Sequence, residues 1–211
     1  NVTIGSVSGS TAFGDSADDT HQFTGSLFIS GSRIALDDGN KNVAIGNLSM
    51  GASSLSGASR NVAVGYKALE DITSGVENTA LGDEAGRNIT TGTYNVTIGK
   101  NAGVGLVDDS NNVLIGYQAG QSTETSNTVA IGFQAMKATG MTTDANGTVV
   151  IGYQAGAALT SGIGNVAIGY QALDAEDDGD FNTAIGYQAL SAQTGVSGEV
   201  GNTAVGYQAG L

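Results

Sequence analysis

The sequence offers one pattern for nucleophilic catalysis, and that pattern depends on a single histidine. His21 is the only histidine among the 211 residues, so any Ser–His–Asp relay would have to use it. No nucleophile-elbow motif accompanies His21. Hydrolysis of sugars by paired carboxylates is a second possibility because acids are plentiful, but the chain has no tryptophan to build a sugar platform. We therefore predict that the chain is not an enzyme and has neither a catalytic residue nor a cofactor.

A cation site is the second kind of chemistry that these residue types can support. Five acids fall close together in one loop: Asp174, Glu176, Asp177, Asp178 and Asp180. Gly179 takes the sixth position of a calcium loop, but the twelfth position, where such a loop needs a bidentate glutamate, is Ile185. We interpret the loop as a solvated insertion and predict no metal site. A weak cation site shared between chains is the alternative.

The third candidate is a column of aromatic residues, each of which directly follows a glycine. Its members are Tyr66, Tyr117, Phe133, Tyr153, Tyr170, Tyr187 and Tyr207. Glutamine usually comes next: Gln118, Gln134, Gln154, Gln171, Gln188 and Gln208. A ladder of this kind can line an exposed stripe that binds a glycan or a protein. We favour the alternative, in which the rings stack on one another and cover the edge of the fold or fill a seam between chains.

These candidates belong to a short internal repeat, and a repeat decides the fold before any other feature does. The copies centre on Gly5, Gly46, Gly65, Gly82, Gly99, Gly116, Gly132, Gly152, Gly169, Gly186 and Gly206. From Gly46 onward their spacing is mostly 17 residues and varies between 16 and 20. A degraded copy lies at residues 11–17.

Each copy predicts one short strand. The residue before the glycine is always aliphatic, and two positions earlier stands Val or Thr, as in Val166 and Ile168. β-branched residues with a period of two are typical of strands. The residue between them is mostly alanine, which lets another surface come close, either a second chain or the opposite wall of the same coil. Alanine also recurs three residues after the glycine, which predicts a second short strand or a corner.

Asparagine begins most copies and predicts a ladder of side-chain amides. It occurs at Asn42, Asn61, Asn78, Asn95, Asn112, Asn165, Asn182 and Asn202. Asparagine tolerates the left-handed backbone region and bonds to its own turn. When identical strands stack in register, such residues can bond from one layer to the next.

The repeat predicts an all-β fold, a parallel β-solenoid of about eleven repeats, since no helical periodicity is present. We assign residues 42–211 to the repeat domain and residues 1–41 to an irregular β-rich N-terminal joint with degraded repeats. A single thin roll buries little, and small-residue columns on an outer face indicate that several rolls pack together. We therefore predict a homotrimer.

Composition excludes several classes of partner. The net charge is −13, with only 7 Lys and Arg, so the chain cannot neutralise nucleic-acid phosphates and is repelled by anionic membrane surfaces. No apolar run approaches the length that spans a bilayer. The chain has no cysteine, which excludes disulfides and thiolate metal sites. We predict no nucleic-acid binding and no membrane insertion.

The repeats resemble two families of fibrous proteins. Asn-Val-Ala-Ile-Gly at 42–46 and 165–169 is similar to the YadA-like head repeats of trimeric autotransporter adhesins. The longer Asn-Thr-Ala-Ile-Gly-Tyr-Gln-Ala-Leu at 182–190 resembles repeats of phage tail-fibre and related virion proteins. The resemblance covers about four-fifths of the chain. It implies a left-handed β-roll that associates as a homotrimer.

The same resemblance implies a structural or adhesive role at a virion surface or outside the cell. The expected function is a fibre or spike segment of a phage-like virion, which acts as a rigid spacer and is a candidate for attachment to a host glycan or protein receptor. The head of a bacterial trimeric adhesin is one alternative. The non-catalytic part of an enzymatic tailspike is the other.

Overall fold

The computed structural model describes residues 40–51, 55–122, 124–138, 145–194 and 198–211. These residues belong to one compact unit, Leu36–Leu211. The repeat copies at Gly5 and 11–17 lie outside the described residues, as does His21. The same holds for the predicted N-terminal joint, 1–41, except for its last two residues.

The described part of the chain is all-β, with short strands joined by turns. Ten strands of three residues form one sheet: β1 (Val43–Ile45), β2 (Val62–Val64), β3 (Thr79–Leu81), β4 (Val96–Ile98), β5 (Val113–Ile115), β6 (Val129–Ile131), β7 (Val149–Ile151), β8 (Val166–Ile168), β10 (Thr183–Ile185) and β12 (Thr203–Val205). Two strands of two residues, β9 (Gly179–Asp180) and β11 (Gly198–Glu199), pair with each other. In this part of the chain no helix is long and apolar enough to cross a membrane.

The sheet stacks equivalent residues directly on one another. Every pairing is parallel and joins the same repeat positions, so that Val149 pairs with Val166 and Ile151 with Ile168. The strand order follows the chain from β1 to β12, with β9 and β11 left out. Each passage from one strand to the next therefore completes one coil. The predicted parallel β-solenoid is confirmed, with about nine turns and a spacing near 17 residues.

The alanine column faces the inside of the coil. The middle residue of nearly every strand is buried, as Ala63 and Ala167 are, whereas the aliphatic residues on both sides point outward and stay partly exposed. The sequence left open whether alanine approaches a second chain or the opposite wall, and the structure selects the opposite wall. Because these alanines lie inside the coil, the trimer prediction loses its argument from small residues on an outer face. The outward columns are the larger Val, Thr, Ile and Leu side chains.

A left-handed turn, and not a second strand, follows each glycine. In the β5 coil, Gly116 has φ 131°, and Gln118 and Gly120 also have positive φ values. Alternate left-handed residues curl the chain, because an extended strand needs negative φ throughout. The buried alanine between them, such as Ala119, begins the opposite wall. Backbone bonds in both directions link this corner to that of the neighbouring coil, as in Gly103 N to Ala119 O at 3.0 Å and Gln118 N to Lys100 O at 2.9 Å.

Side-chain size is matched across most of the narrow interior. Where the corner carries a large residue, such as Leu69 or Leu173, the strand of the same coil has alanine in the middle. Where the corner carries Gly156, the strand residue is Val150, whose methyl group would lie 3.2 Å from any added Cβ at that glycine. Close packing explains this exchange of volume, since an interior this thin cannot hold two large residues or leave a void.

Candidate functional site

Six of the seven predicted aromatic residues form one continuous stack, here called the aromatic ladder. Its members are Tyr117, Phe133, Tyr153, Tyr170, Tyr187 and Tyr207. Neighbouring ring centroids lie 4.9 to 5.4 Å apart, and their planes are within 18° of parallel. Offset stacking at this separation is favourable for aromatic rings. Each coil from Tyr117 onward contributes one ring to the ladder.

The glycine column explains why these rings point outward. Each ladder ring follows a glycine whose φ lies between 131° and 140°. In this conformation an added Cβ would meet the carbonyl oxygen of the glycine in the next coil, as at Gly132 and Gly186. Only glycine fits, and it turns the chain out of the sheet so that the next side chain projects from the surface. Because the coils are in register, all these side chains superimpose.

A second ladder of amides runs beside the rings. This glutamine ladder consists of Gln118, Gln134, Gln154, Gln171, Gln188 and Gln208. From Gln134 onward, the Nε2 of each glutamine donates to Oε1 of the glutamine in the preceding coil, at distances from 2.8 to 3.5 Å. All six residues are left-handed. The ladder thus holds its amides in one orientation along the surface.

The aromatic ladder does not extend to Tyr66, although the sequence places Tyr66 in the same column. The two intervening coils have Asp83 and Lys100 at this position, and their side chains form an ion pair at 3.7 Å. Tyr66 contacts a cation instead, since Lys67 Nζ lies 5.5 Å from its ring centroid. A charged segment therefore borders the ladder at Tyr117.

Most charges in that segment are paired. Arg87 bonds to both Glu70 and Glu84, and Lys67 also bonds to Glu70. These groups are partly exposed, so each pair adds little to stability. From residue 101 onward the sequence has one base, Lys137, and ten acids. The chain therefore carries a mixed-charge surface before the aromatic ladder and an acidic one along it.

The outer sheet face is a continuous apolar surface of the described chain. It consists of the first and third residues of the ten strands in the sheet, which are all Val, Ile, Leu or Thr. None of these twenty side chains is fully buried, and Ile45, Leu81 and Ile185 are among the most exposed. A soluble protein rarely exposes a contiguous apolar surface of this extent without a partner. The sequence did not identify this face as a contact surface.

The predicted asparagine ladder is confirmed, and it lies inside the coil. Oδ1 of Asn61 accepts from the backbone N of Asn78 at 2.9 Å, and the same pattern continues through Asn95 and Asn112. The Nδ2 of each of these four asparagines also donates to a backbone carbonyl late in its own coil, as from Asn78 to Gly92 at 2.9 Å, whereas Nδ2 of Asn182 makes no such bond within the described residues. These side chains are buried, so the ladder stabilises the turns and is not a binding surface.

The acidic loop is anchored by a buried carboxylate. Glu176 is 0% exposed and occupies the column filled by Ile72, Ile89, Leu106 and Leu159 in other coils. Its Oε1 accepts from Gly179 N at 2.8 Å, and its Oε2 accepts from Gln193 Nε2 at 2.6 Å. Carboxylate oxygens of Glu176, Asp177 and Asp178 lie within 4.8 Å of one another. Protein donors therefore already satisfy both carboxylate oxygens of Glu176. The predicted absence of a metal site stays a prediction.

Desolvation affects the acids of two loops. Partial burial raises the pKa of the Asp174 carboxyl above its ordinary value. Partial burial, together with the neighbouring Asp108 carboxylate, likewise raises the pKa of Asp109. Neither carboxyl has a cation beside it among the described residues. Both groups therefore cost stability when they are ionised.

Comparisons of the chain with protein-family models, with curated proteins and with solved structures find no match. The function must therefore be inferred from the residues and their geometry.

Proposed function

We propose that the chain is a structural and adhesive segment of a phage-like fibre or spike, formed by three copies packed through the outer sheet face. It would act as a rigid spacer at a virion surface or outside the cell and would present its ladders and loops to a host glycan or protein. The role is mechanical and involves no catalysis, cofactor, nucleic acid or membrane insertion.

The outer sheet face is the single observation that carries the proposal. Two columns of aliphatic side chains run along ten stacked strands, and all of them point away from the interior. Full burial of an exposed Val or Ile is worth about 1.5 to 3 kcal/mol, and these side chains are already partly buried, so each would contribute only a part of that on association. The contribution repeats along ten strands. The face is periodic, because equivalent residues pair in register from strand to strand, and this suits a second and third copy of the same chain.

The negative charge of each copy opposes this association, so assembly should depend on the salt concentration. Three copies would each contribute a net charge of −13, most of it in loops. The seam itself has no charged residue, because every outward strand position is apolar or Thr. Added salt would screen the repulsion between loops without weakening the apolar seam. We therefore expect assembly to be favoured by moderate salt.

Two alternatives share this architecture. The Asn-Val-Ala-Ile-Gly copies favour the head of a bacterial trimeric adhesin, and an enzymatic tailspike could contain such a rod as a non-catalytic part. The adhesin requires a membrane anchor elsewhere in the protein, and the fibre requires a virion-attachment region. A tailspike would degrade the surface polysaccharide that it binds, whereas a fibre or adhesin would only bind it.

The test is the solution mass of the purified chain by light scattering, at low and moderate salt. The proposal predicts three times the 20.9 kDa of one chain. Ile131→Lys places an ammonium group in the seam and should yield monomers with an intact β spectrum, because burying an unpaired charge is costly. Val107→Lys, at an exposed position outside the sheet, is the matched control and should remain trimeric. A wild-type monomer would overturn the proposal.

A further inference from the structure

The two ladders leave one set of hydrogen-bonding groups unused in every coil. Within the described residues, the hydroxyl groups of the five ladder tyrosines make no hydrogen bond. From Gln134 onward, each glutamine amide donates one of its two hydrogens to the preceding glutamine, which leaves the second hydrogen and an oxygen lone pair. The surface therefore presents donors and acceptors that repeat with each coil.

The ring faces are not available to a ligand, but the ring edges are. Neighbouring rings cover each other at about 5 Å, so a sugar cannot stack on a face inside the ladder. From Tyr117 to Tyr187 the exposed fraction is nearly constant, between 40% and 44%. A ligand would therefore lie along the ladder and meet hydroxyl groups, amides and ring edges in regular succession.

The repeat distance selects the class of ligand. Rings follow one another at 4.9 to 5.4 Å. An extended peptide presents same-side groups about 6.6 Å apart, so it would lose register within a few coils. Nucleic acid is excluded by the net charge of −13. An extended chain of 1,4-linked hexoses advances by close to one coil per sugar, and every sugar carries hydroxyl groups.

We propose that the aromatic and glutamine ladders together form a binding site for an extended, 1,4-linked polysaccharide that runs along the solenoid, with one sugar per coil. A hollow of about 380 Å³ opens beside Gln134 and Gln154 and is lined further by Lys137, Ala157 and Thr160. It gives room for a substituent on the sugar chain. The inference deepens the proposed attachment function by naming its ligand class and its site.

Calorimetric titration with the hexamers of β-1,4-linked glucose, N-acetylglucosamine and mannose tests this site. At least one should bind, and its affinity should rise with each added sugar from the dimer to the hexamer. Maltohexaose is the matched control ligand, since it has the composition of cellohexaose but curves because of its α linkages. Equal binding of maltohexaose, or no binding of any extended hexamer at millimolar concentration, would overturn the inference.

Single hydroxyl groups locate the ligand on the ladder. Phe133 is the one ladder ring without a hydroxyl, so Phe133→Tyr should tighten binding, and Tyr170→Phe should weaken it, each by about two- to tenfold. Both changes keep the stacked ring. Tyr94→Phe removes an exposed hydroxyl outside the ladder and should have no effect. Unchanged affinity in both ladder variants would place the ligand elsewhere and refute the site.

The mass of the same sample separates this inference from the proposed fibre. A trimer that binds no extended hexamer would refute the ladder site and leave the fibre standing. A monomer that binds the hexamers with the expected variant effects would refute the trimer and leave the ladder site standing.

Discussion

At the scale of single residues, the buried asparagines do most to specify the turn that closes each coil. One side chain, such as Asn78, accepts from the backbone N of the next coil and donates to a carbonyl of its own coil. A buried backbone group without a partner would be costly, and the asparagine ladder prevents this in the coils that begin at Asn61, Asn78 and Asn95. At Thr128 and Thr148 threonine takes its place. Threonine has no amide group with which to continue the ladder.

Asn78→Ala should therefore destabilise the chain far more than an ordinary polar-to-alanine change. The substitution removes the partners of Asn95 N and of the Gly92 carbonyl, both of which lie in the interior of the turn. Two unsatisfied groups cost about 2 to 5 kcal/mol in the free energy of unfolding, measured with urea. Asn88→Ala, at a half-buried position away from the ladder, is the control and should change stability by less than about 0.5 kcal/mol.

At the scale of elements, the structure depends on strands that are only three residues long and gain stability by stacking. Such strands would not form alone, since each contributes few backbone bonds. Their registration comes from the glycine column, where the backbone of one coil touches that of the next. At Gly99, with φ 122°, a Cβ would lie 2.5 Å from the carbonyl oxygen of Gly116.

Gly99→Ala should break this contact and lower the unfolding free energy by about 3 kcal/mol or more, because backbone strain adds to a steric clash with the next coil. Gly147→Ala provides the comparison. Gly147 also has positive φ, 72°, but nothing lies within 4 Å of an added Cβ. Its cost should stay near the 1 to 2 kcal/mol of the left-handed conformation alone. Equal losses in the two variants would show that the coils do not touch at the glycine column.

The sequence was sufficient to place the strands but not to orient them. All ten copies from Gly46 onward form a strand at the predicted aliphatic–X–aliphatic positions. The period of two separates the faces, but hydrophobicity would put Ile168 inside and Ala167 outside, whereas the structure does the reverse. The interior is too thin for larger residues in both walls, and this thickness is a property of the whole coil that no single repeat reveals.

The ladders were predictable in part, because the repeat places equivalent residues in one column. A shared column predicted that the rings could stack, and the interruption before Tyr117 was visible in the sequence as Asp83 and Lys100. The bonds between glutamine amides of neighbouring coils were not predicted, because they depend on the left-handed backbone at residues such as Gln154 and Gln171. The role of Glu176 as a buried partner of Gln193 also escaped sequence reasoning, since an acidic loop is ordinarily solvated.

At the scale of the whole molecule, excess negative charge opposes the fold and would oppose the proposed assembly. The net charge of −13 produces repulsion among loops that stack close together. Partial burial adds to this cost, since it raises the pKa of both Asp109 and Asp174. The apolar interior and the outer sheet face must outweigh these terms.

Mild acid should therefore stabilise the chain. A carboxyl whose pKa is raised by folding binds its proton more tightly in the folded state, so its penalty is full above the folded pKa and disappears as pH falls toward the unfolded value. The melting temperature should rise as pH falls through the raised pKa values of these carboxyls toward their ordinary value of 3.8. Asp109→Asn should raise stability at pH 7 and flatten this dependence, whereas Asp71→Asn, at an exposed position, should preserve its slope. A melting temperature that falls steadily over this range would contradict the prediction.

We propose that copies of the chain meet through the outer sheet face, and cysteine cross-linking can detect that seam. The chain has no cysteine, so Val129→Cys and Ile131→Cys each introduce one thiol in the seam. A disulfide requires Cα atoms within about 7 Å, which an in-register seam provides for the column nearest its axis. We predict covalent dimers on oxidation for at least one of the two variants and none for Val107→Cys. Cross-linking that is absent from both seam variants, or equal in the Val107→Cys control, would contradict the account.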